Sequence, residues 1–219
     1  MKTEIKPQYT TRNQAFELWM KSPMPMVTLT KTFDVTRLRV VSRRRNIKFN
    51  LLLCWCIGKA ASRMEEFYLL PERLRVGDGM SGMCGKLYKY DRLAINVIVN
   101  NRAGGINSCD IPYSDDLDKF CTDYMVLTQS ASISCQSSFV DGAMVIGTSA
   151  MTATELDCIV NQYTDQFCNP MVMWGRYRKG WLKTTLPISF QFHHVQMDGG
   201  HAARFLDKLQ KTIKGGSKN

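Results

Sequence analysis

The chain has 219 residues, of which 44% are hydrophobic and 22% are charged. This length and composition exclude a disordered or low-complexity chain and predict one domain, residues 1–219, with a sizeable core. The formal net charge of +10 would suit nucleic acid, an acidic surface or a small polyphosphate ligand. Because the sequence has no zinc-finger spacing, no aromatic RNA-binding motif and no recognition-helix signature, we do not expect a nucleic-acid partner.

The longest apolar stretches, such as residues 51–57, are too short to cross a membrane, and the first residues lack a signal-like apolar segment. We therefore expect a cytoplasmic protein with no membrane partner. The eight cysteines show no paired CxxC spacing. This favours reduced, mostly buried thiols over a disulfide framework or a structural zinc site.

In the first third of the chain, the pattern predicts a short helix over residues 11–21 and a half-buried strand over residues 26–33. An apolar stripe at spacings of three and four residues then predicts one long buried helix over residues 49–67. A basic cluster lies between the strand and this helix, and a solvated turn is favoured there at least as strongly as a ligand site. The cluster consists of Arg37, Arg39, Arg43, Arg44, Arg45 and Lys48.

In the middle of the chain, residues 87–90 and 93–99 are predicted as two strands. The segment Ser114-Asp115-Asp116 predicts the N-terminal cap of a helix that begins near Leu117. Glycines 77, 79 and 82 have the spacing GxGxxG, but no βαβ unit surrounds them, so we reject a dinucleotide site.

The last third of the chain is predicted to be mostly strand, over residues 143–150, 171–177 and 181–193. The latter two strands are joined by a turn at Lys179-Gly180. The order of the elements predicts an α/β fold of the α+β two-layer kind, in which three or four helices pack on a mixed β-sheet.

All three histidines lie within nine residues, at positions 193, 194 and 201. Before them, apolar and polar residues alternate, as in a strand with one face in a core. After them, apolar residues recur at helical spacing from Ala202 to Ile213. The histidines therefore lie at a strand-to-helix corner that can hold an imidazole in one orientation. Because imidazole has an unperturbed pKa close to neutral pH, we expect acid–base chemistry there.

The segment from His193 to Gly199 reads HHVQMDG and resembles the HHxxxDG signature of chloramphenicol acetyltransferases, a family of CoA-dependent acyltransferases. Arg12 with Phe16 and Glu17, residues 112–120 and Gly175-Arg176-Tyr177 resemble further segments of that family. The resemblance implies the family's fold. It also implies transfer of an acetyl group from acetyl-CoA to a hydroxyl of chloramphenicol or a similar small molecule, by direct attack in a ternary complex.

The resemblance assigns roles to several residues. His194 would be the general base that takes the proton of the attacking hydroxyl, and Ser149 would donate a hydrogen bond to the developing oxyanion. Asp198 would pair with Arg12 and brace the corner. The residues themselves leave a second role open for Asp198, that of capping the last helix. His193 and His201 are interpreted as structural.

By the same resemblance, Lys48, Arg176 and Tyr177 would contact acetyl-CoA, and the protein would be a homotrimer with active sites between subunits. The acceptor pocket departs from the family pattern at Trp19, Ile106, Asn107 and Met173. Chloramphenicol is therefore the leading acceptor, and another hydroxylated molecule is close behind.

Three alternatives remain. Histidines 193, 194 and 201 with Asp198 could form a metal site, but we expect none because adjacent histidines project to opposite faces of a strand. A lipoyl-dependent acyltransferase core shares HxxxDG, but its swinging modules do not fit in 219 residues. A non-catalytic protein that binds an antibiotic or CoA is the third alternative.

Overall fold

The computed structural model describes residues 1–75, 83–164 and 167–215. Within these ranges there are five α-helices, two short 3-10 helices and ten strands. The α-helices are α1 (Asn13–Trp19), α2 (Thr36–Arg44), α3 (Phe49–Ala61), α4 (Leu117–Ser134) and α5 (Gly199–Gly215). The strands are β1 (Lys2–Ile5), β2 (Met26–Asp34), β3 (Leu69–Arg75), β4 (Met83–Tyr90), β5 (Leu93–Asn100), β6 (Ile106–Pro112), β7 (Met144–Met151), β8 (Met171–Gly175), β9 (Arg178–Lys179) and β10 (Thr184–His193).

The strands form two sheets. The larger sheet has seven strands, in the order β2-β10-β8-β7-β5-β6, and β9 pairs with β10. The pairs β5–β7 and β7–β8 are parallel and the other pairs are antiparallel. The smaller sheet is antiparallel, in the order β1-β4-β3. The predicted fold class, a mixed sheet with helices packed on it, is confirmed.

The main core lies between one face of the large sheet and the helices. Phe190 of β10 packs against Phe205 of α5 with ring centroids 4.6 Å apart, and Phe67 packs on the same ring at 4.7 Å. The opposite face of β10 is also buried, because the segment after β7 covers it. Ser189 Oγ accepts a hydrogen bond from Ile159 N (2.9 Å), and Gln191 Nε2 donates one to Asn161 O (3.1 Å).

The stripe of apolar residues over 49–67 proved to be two elements. Helix α3 ends at Ala61, and a 3-10 helix at Glu65–Tyr68 follows an extended residue, Met64. Phe67 is nevertheless fully buried in the same core. The periodicity therefore identified the buried residues, and the prediction of one continuous helix was wrong because a different backbone geometry can bury the same side chains.

The prediction of a solvated turn for the basic cluster was wrong for residues 37–44, although most of its side chains are solvent-exposed as predicted. Residues Thr36–Arg44 form helix α2, which buries Leu38 against the core and exposes Arg37, Arg43 and Arg44. The count of three or four helices was therefore too low. Strands β1, β3, β6 and β9 were not predicted. The glycine spacing at 77–82 lies outside the described residues.

Several element predictions are confirmed, including the strands at 26–33, 93–99 and 143–150. The cap of α4 is also confirmed, because the Asp116 carboxylate accepts hydrogen bonds from the backbone N–H groups of Asp118 and Lys119. Across the described ranges, we find no helix with both the length and the apolar character needed to cross a membrane.

The contact between α3 and Tyr113 can be tested with Gly58→Ala. Alanine favours a helix by about 1 kcal/mol over glycine, but its Cβ would lie 2.3 Å from Tyr113 Cδ2. Because an aromatic ring in a packed site cannot yield cheaply, we expect the substitution to lower the free energy of unfolding by about 1–2 kcal/mol in urea denaturation. In a Tyr113→Ala background the same substitution should instead stabilise the protein. Stabilisation by Gly58→Ala alone would contradict the packing described here.

Candidate active site

The strand-to-helix corner is a five-residue turn, residues 194–198, between the end of β10 and the start of α5. His193 pairs with Met26 in the β2–β10 ladder, and the backbone N–H of His194 donates to Pro25 O at 2.8 Å. The backbone of His194 therefore continues the ladder one residue beyond the sheet. This position is fixed by two strands rather than by a free loop.

The imidazole of His194 is half-buried and lies against the indole of Trp19. The two rings are almost parallel, with an interplanar angle of 8° and centroids 4.3 Å apart. The Nδ1 atom of His194 is buried and has no hydrogen-bond partner among the described residues. Stacking of this kind restricts the plane of the imidazole. The structure thus places a predicted acceptor-pocket residue directly on the predicted base.

Arg12 connects the start of α1 to the turn. This nearly buried guanidinium donates to His194 O (2.8 Å), Val195 O (2.9 Å) and Asp198 Oδ2 (3.2 Å). The two carbonyls belong to a turn and accept no backbone hydrogen bond from any described residue. The guanidinium therefore satisfies groups that burial would otherwise leave unpaired. One side chain therefore holds three points of the corner.

Asp198 both caps helix α5 and pairs with Arg12, the two contacts predicted for it from the sequence. Its Oδ1 accepts from the backbone N–H groups of Gly200 (3.1 Å) and His201 (3.3 Å), while Oδ2 accepts from Arg12. Burial acts to raise the pKa of Asp198, but the His201 N–H and the Arg12 guanidinium outweigh it, and the pKa is lowered. An ionised carboxylate suits both the helix N-terminus and the cation.

The three histidines have separate surroundings. His193 is fully buried, and its Nδ1 accepts from Val195 N at 3.1 Å. Burial, with a contribution from the charge of Arg73, lowers the pKa of His193 to about 3. His201 lies between two carboxylates, with Nδ1 2.7 Å from Asp198 Oδ1 and Nε2 3.1 Å from Glu66 Oε1. In the part of the chain that the structure describes, no three His, Cys, Asp or Glu side chains are grouped as metal ligands.

Ser149 does not lie beside His194 in the same chain. The ladders align Ser149 with Met173 and Met173 with Ser189, so Ser149 is two strands from β10. His193 is four residues beyond Ser189, which places it about 13 Å along and about 10 Å across the sheet from Ser149. His194 lies one residue further away. The predicted base and the predicted oxyanion donor are thus separated by more than about 15 Å.

The four residues predicted for the acceptor pocket are also spread over separate regions of the chain, and only one of them lies beside His194. Met173 is buried in the row of Ser149. Ile106 and Asn107 begin β6, at the far edge of the sheet; the Ile106 side chain is exposed, and Asn107 Oδ1 accepts from Asn101 Nδ2 at 2.6 Å. Within the chain, only Trp19 of these four contacts the histidine corner among the described residues.

The three residues predicted to contact CoA line one cavity of about 280 Å³. Lys48, Arg176 and Tyr177 are joined there by Asn50 and other residues at the N-terminus of α3. The Phe49 and Tyr177 rings are 5.1 Å apart. Lys48 and Arg176 form no ion pair with any described residue. Two cations beside a helix N-terminus, where backbone N–H groups are unpaired, give a site suited to phosphate.

A larger cavity of about 470 Å³ lies on the sheet face that carries Ser149, and our sequence analysis did not identify it. Its floor includes Gly147, Met171 and Gln191, which are aligned across three neighbouring strands. Its walls include Asp110 and Phe139. The polar residues at alternate positions of β10 were visible in the sequence. Their burial was not, since the residues that cover them, such as Ile159 and Asn161, lie 30 positions earlier in the chain.

Comparisons with known proteins identify the family of the chain. The model of the chloramphenicol acetyltransferase family matches residues 3–210. The chain belongs to this family, and it is an acyltransferase. It is 25% identical to chloramphenicol acetyltransferase 3 of Escherichia coli over 216 residues, covering 95% of both chains. It is 24% identical to the chloramphenicol acetyltransferase of Clostridium butyricum over 210 residues, covering 94% of this chain and 92% of the relative.

Solved structures share the fold. A chloramphenicol acetyltransferase superposes with a TM-score of 0.78 at 18% identity, covering 97% of this chain and 100% of the other. A dihydrolipoamide acetyltransferase of Azotobacter vinelandii gives a TM-score of 0.64 at 16% identity, covering 93% of this chain and 85% of the other. The acyltransferase fold is therefore common to both groups.

The contacts of Arg12 predict that Arg12→Ala weakens the whole corner. Loss of three charge-assisted hydrogen bonds should lower the free energy of unfolding by roughly 3 kcal/mol in urea denaturation, and activity should fall with it. Arg12→Lys keeps the charge but not the planar fork, so it should recover a minor part. An unchanged unfolding midpoint in Arg12→Ala would contradict the bracing role.

The buried His193 predicts an acid-sensitive fold. The unfolded chain protonates this residue near its ordinary pKa of 6.5, whereas the folded chain does so only near pH 3. The stability from the neutral imidazole is therefore fully present above pH 6.5 and is lost progressively as the pH falls toward 3. His193→Asn keeps an acceptor for Val195 N and cannot titrate. Its urea midpoint should fall less steeply than that of the wild type between pH 6.5 and 4, and parallel slopes would refute this assignment.

Proposed function

We propose that this protein is an O-acetyltransferase that moves the acetyl group of acetyl-CoA to a hydroxyl of chloramphenicol or a similar small molecule. The observation that carries the proposal is the half-buried imidazole of His194, stacked on Trp19 at 4.3 Å in a turn that Arg12 holds by three hydrogen bonds. A general base needs this fixed orientation.

In the proposed reaction His194 is neutral and accepts the proton of the acceptor hydroxyl as that oxygen attacks the thioester carbonyl. Because Nδ1 is buried on the protein side, we assign the base to Nε2. Attack gives a tetrahedral oxyanion, to which the Ser149 hydroxyl donates a hydrogen bond typically worth about 3 kcal/mol. Collapse breaks the carbon–sulfur bond, and the imidazolium returns the proton to the departing CoA thiolate. No acyl-enzyme is formed.

We further propose a homotrimer whose active sites lie between subunits. A base and an oxyanion donor must both lie within hydrogen-bond distance of one reacting group, yet His194 and Ser149 are more than about 15 Å apart in one chain. A second copy can bring its His194 to the Ser149 face. The exposed apolar side chains Ile98, Ile106 and Phe139 on or beside the β5–β6 edge support a covered surface there.

Acetyl-CoA is the proposed acetyl donor, and the cytoplasm is the proposed location of the reaction. The cavity of Lys48, Arg176 and Tyr177 supports its binding because CoA carries phosphate esters, which pair well with lysine, arginine and a helix N-terminus. This cavity adjoins the end of β7 beyond Ser149, since Thr152 lines it. A thioester held there would thus approach the predicted oxyanion donor.

The function is tested by thiol release from acetyl-CoA in the presence of chloramphenicol and other hydroxylated compounds. His194→Ala should lower kcat by about 10²–10⁴-fold while light scattering and CoA binding remain those of the wild type. Wild-type protein that shows no acceptor-dependent thiol release over such a panel would refute the enzyme and favour a binding protein of the same fold.

The shared site is tested by mixing subunits. His194→Ala and Ser149→Ala chains, each nearly inactive alone, should regain activity when refolded together, because about a quarter of the interfaces then combine an intact His194 with an intact Ser149. The same chains mixed without unfolding are the control. A refolded mixture with no gain over the separate variants would rule out a site shared in this way.

A further inference from the structure

The cavity of about 470 Å³ lies where the proposed acceptor must bind. Gly147 of β7 forms part of its floor, and Ser149 lies two residues further along the same strand and on the same face, about 7 Å away. The cavity residues on β5 and β6, Asn96 and Asp110, are aligned with Gly147 in one row across the sheet. The row therefore leads from Gly147, about 7 Å from Ser149, to Asp110.

Asp110 is a buried carboxylate with two neutral hydrogen-bond donors. It is 3% exposed; its Oδ1 accepts from Asn96 Nδ2 at 2.6 Å and its Oδ2 from Val140 N at 3.1 Å. Among the described residues Asp110 forms no ion pair, and no lysine or arginine lines the cavity. Each carboxylate oxygen can accept a further hydrogen bond. A buried negative charge without a cation is unfavourable, so a ligand cation would be stabilised here.

Aromatic rings complete the environment. Phe139 and Phe167 line the cavity with side chains that are 68% and 67% exposed. The face of an aromatic ring attracts an ammonium group, most strongly where water is displaced. Tyr163 also lines the cavity, but the Arg73 guanidinium already lies 5.6 Å from its ring centroid. A further polar atom, the buried Thr164 Oγ1, has no hydrogen-bond partner among the described residues.

We propose that the acceptor pocket selects a hydroxylated molecule that carries a protonated amino group, which pairs with Asp110. The proposal rests on the O-acetyltransferase function above and specifies the substrate class of that site. Asp110 and Ser149 are two strands and two residues apart, so the amine and the acetylated hydroxyl should be separated by about 8–12 Å. A neutral acceptor would leave the carboxylate without a cation.

The test uses two chloramphenicol analogues in which the para-nitro group is replaced by aminomethyl or by ethyl. These substituents have nearly the same size, but only aminomethyl is charged, and its nitrogen lies far from the primary hydroxyl. Binding is measured by calorimetry without acetyl-CoA, and KM is measured by thiol release. We expect wild-type protein to bind the aminomethyl compound about tenfold more tightly, as one ion pair would provide.

Three variants locate the effect. Asp110→Asn should bind the aminomethyl and ethyl compounds about equally tightly, and its affinity for the ethyl compound should be that of the wild type. Asp141→Asn removes the same charge from an exposed residue outside the cavity lining and should preserve the preference. Phe139→Leu keeps an apolar side chain at the proposed subunit surface and should lower the preference about threefold through loss of the ammonium–ring contact. This variant decides the matter should Asp110→Asn fail to fold.

Equal binding of the two compounds by wild type, or an unchanged preference in Asp110→Asn, would overturn the proposal. Its failure is separable from failure of the function. Acetyl transfer with equal KM values for the two compounds would refute the amine site and leave the acetyltransferase standing. Preferential binding of the aminomethyl compound without any thiol release would refute the acetyltransferase and leave the cation site standing.

Discussion

Three hydrogen bonds from one guanidinium determine where the histidine corner lies. Arg12 holds the carbonyls of His194 and Val195 and the carboxylate of Asp198, all in a turn that has no ladder of its own. Trp19, at the other end of α1, stacks on the His194 ring. The seven-residue helix α1, with Arg12 at its N-cap, thus holds both the backbone and the side chain of the proposed base. The proposed catalysis depends on that helix remaining in place.

The small sheet explains how α1 is held. Phe16 of α1 and Met20, at the C-terminal cap of this helix, pack with Val195 of the turn and Leu87 of β4. An added Cβ at Gly85 would lie 2.3 Å from Met20 Cε. The approach of α1 to β4 is therefore close. The three-stranded sheet has no residue in the proposed chemistry, but it supports the helix that orients it.

The register of the large sheet imposes the second constraint. It assigns His194 to one region of the sheet and Ser149, the cavity with Asp110 and the phosphate-suited cavity to another. In the proposed reaction, a chain with this division offers cavities for both substrates but needs a base from another subunit. Catalysis would then depend on assembly, because strand pairing keeps His194 and Ser149 of one chain apart. The charge of Asp110 would decide which alcohol binds beside the His194 of the other subunit.

The sequence by itself determined the elements with strong local signals. Alternation identified β2 and β10, helical spacing identified α5, and Asp116 marked the start of α4, because each depends on contacts between near neighbours. The motif around His194 placed the corner for the same reason. Helix α2 was missed because its arginines outnumber its apolar residues, and β6 because its polar face is buried by a distant segment.

Tertiary structure alone decided which residues meet. The stacking of Trp19 on His194 and the burial of Asp110 depend on contacts between residues 14 to 175 positions apart. The separation of Ser149 from His194 likewise depends on how distant strands are arranged. Their distances follow from strand order and register. Local pattern carries no information about that order, because a strand's alternation is satisfied equally well by several neighbours.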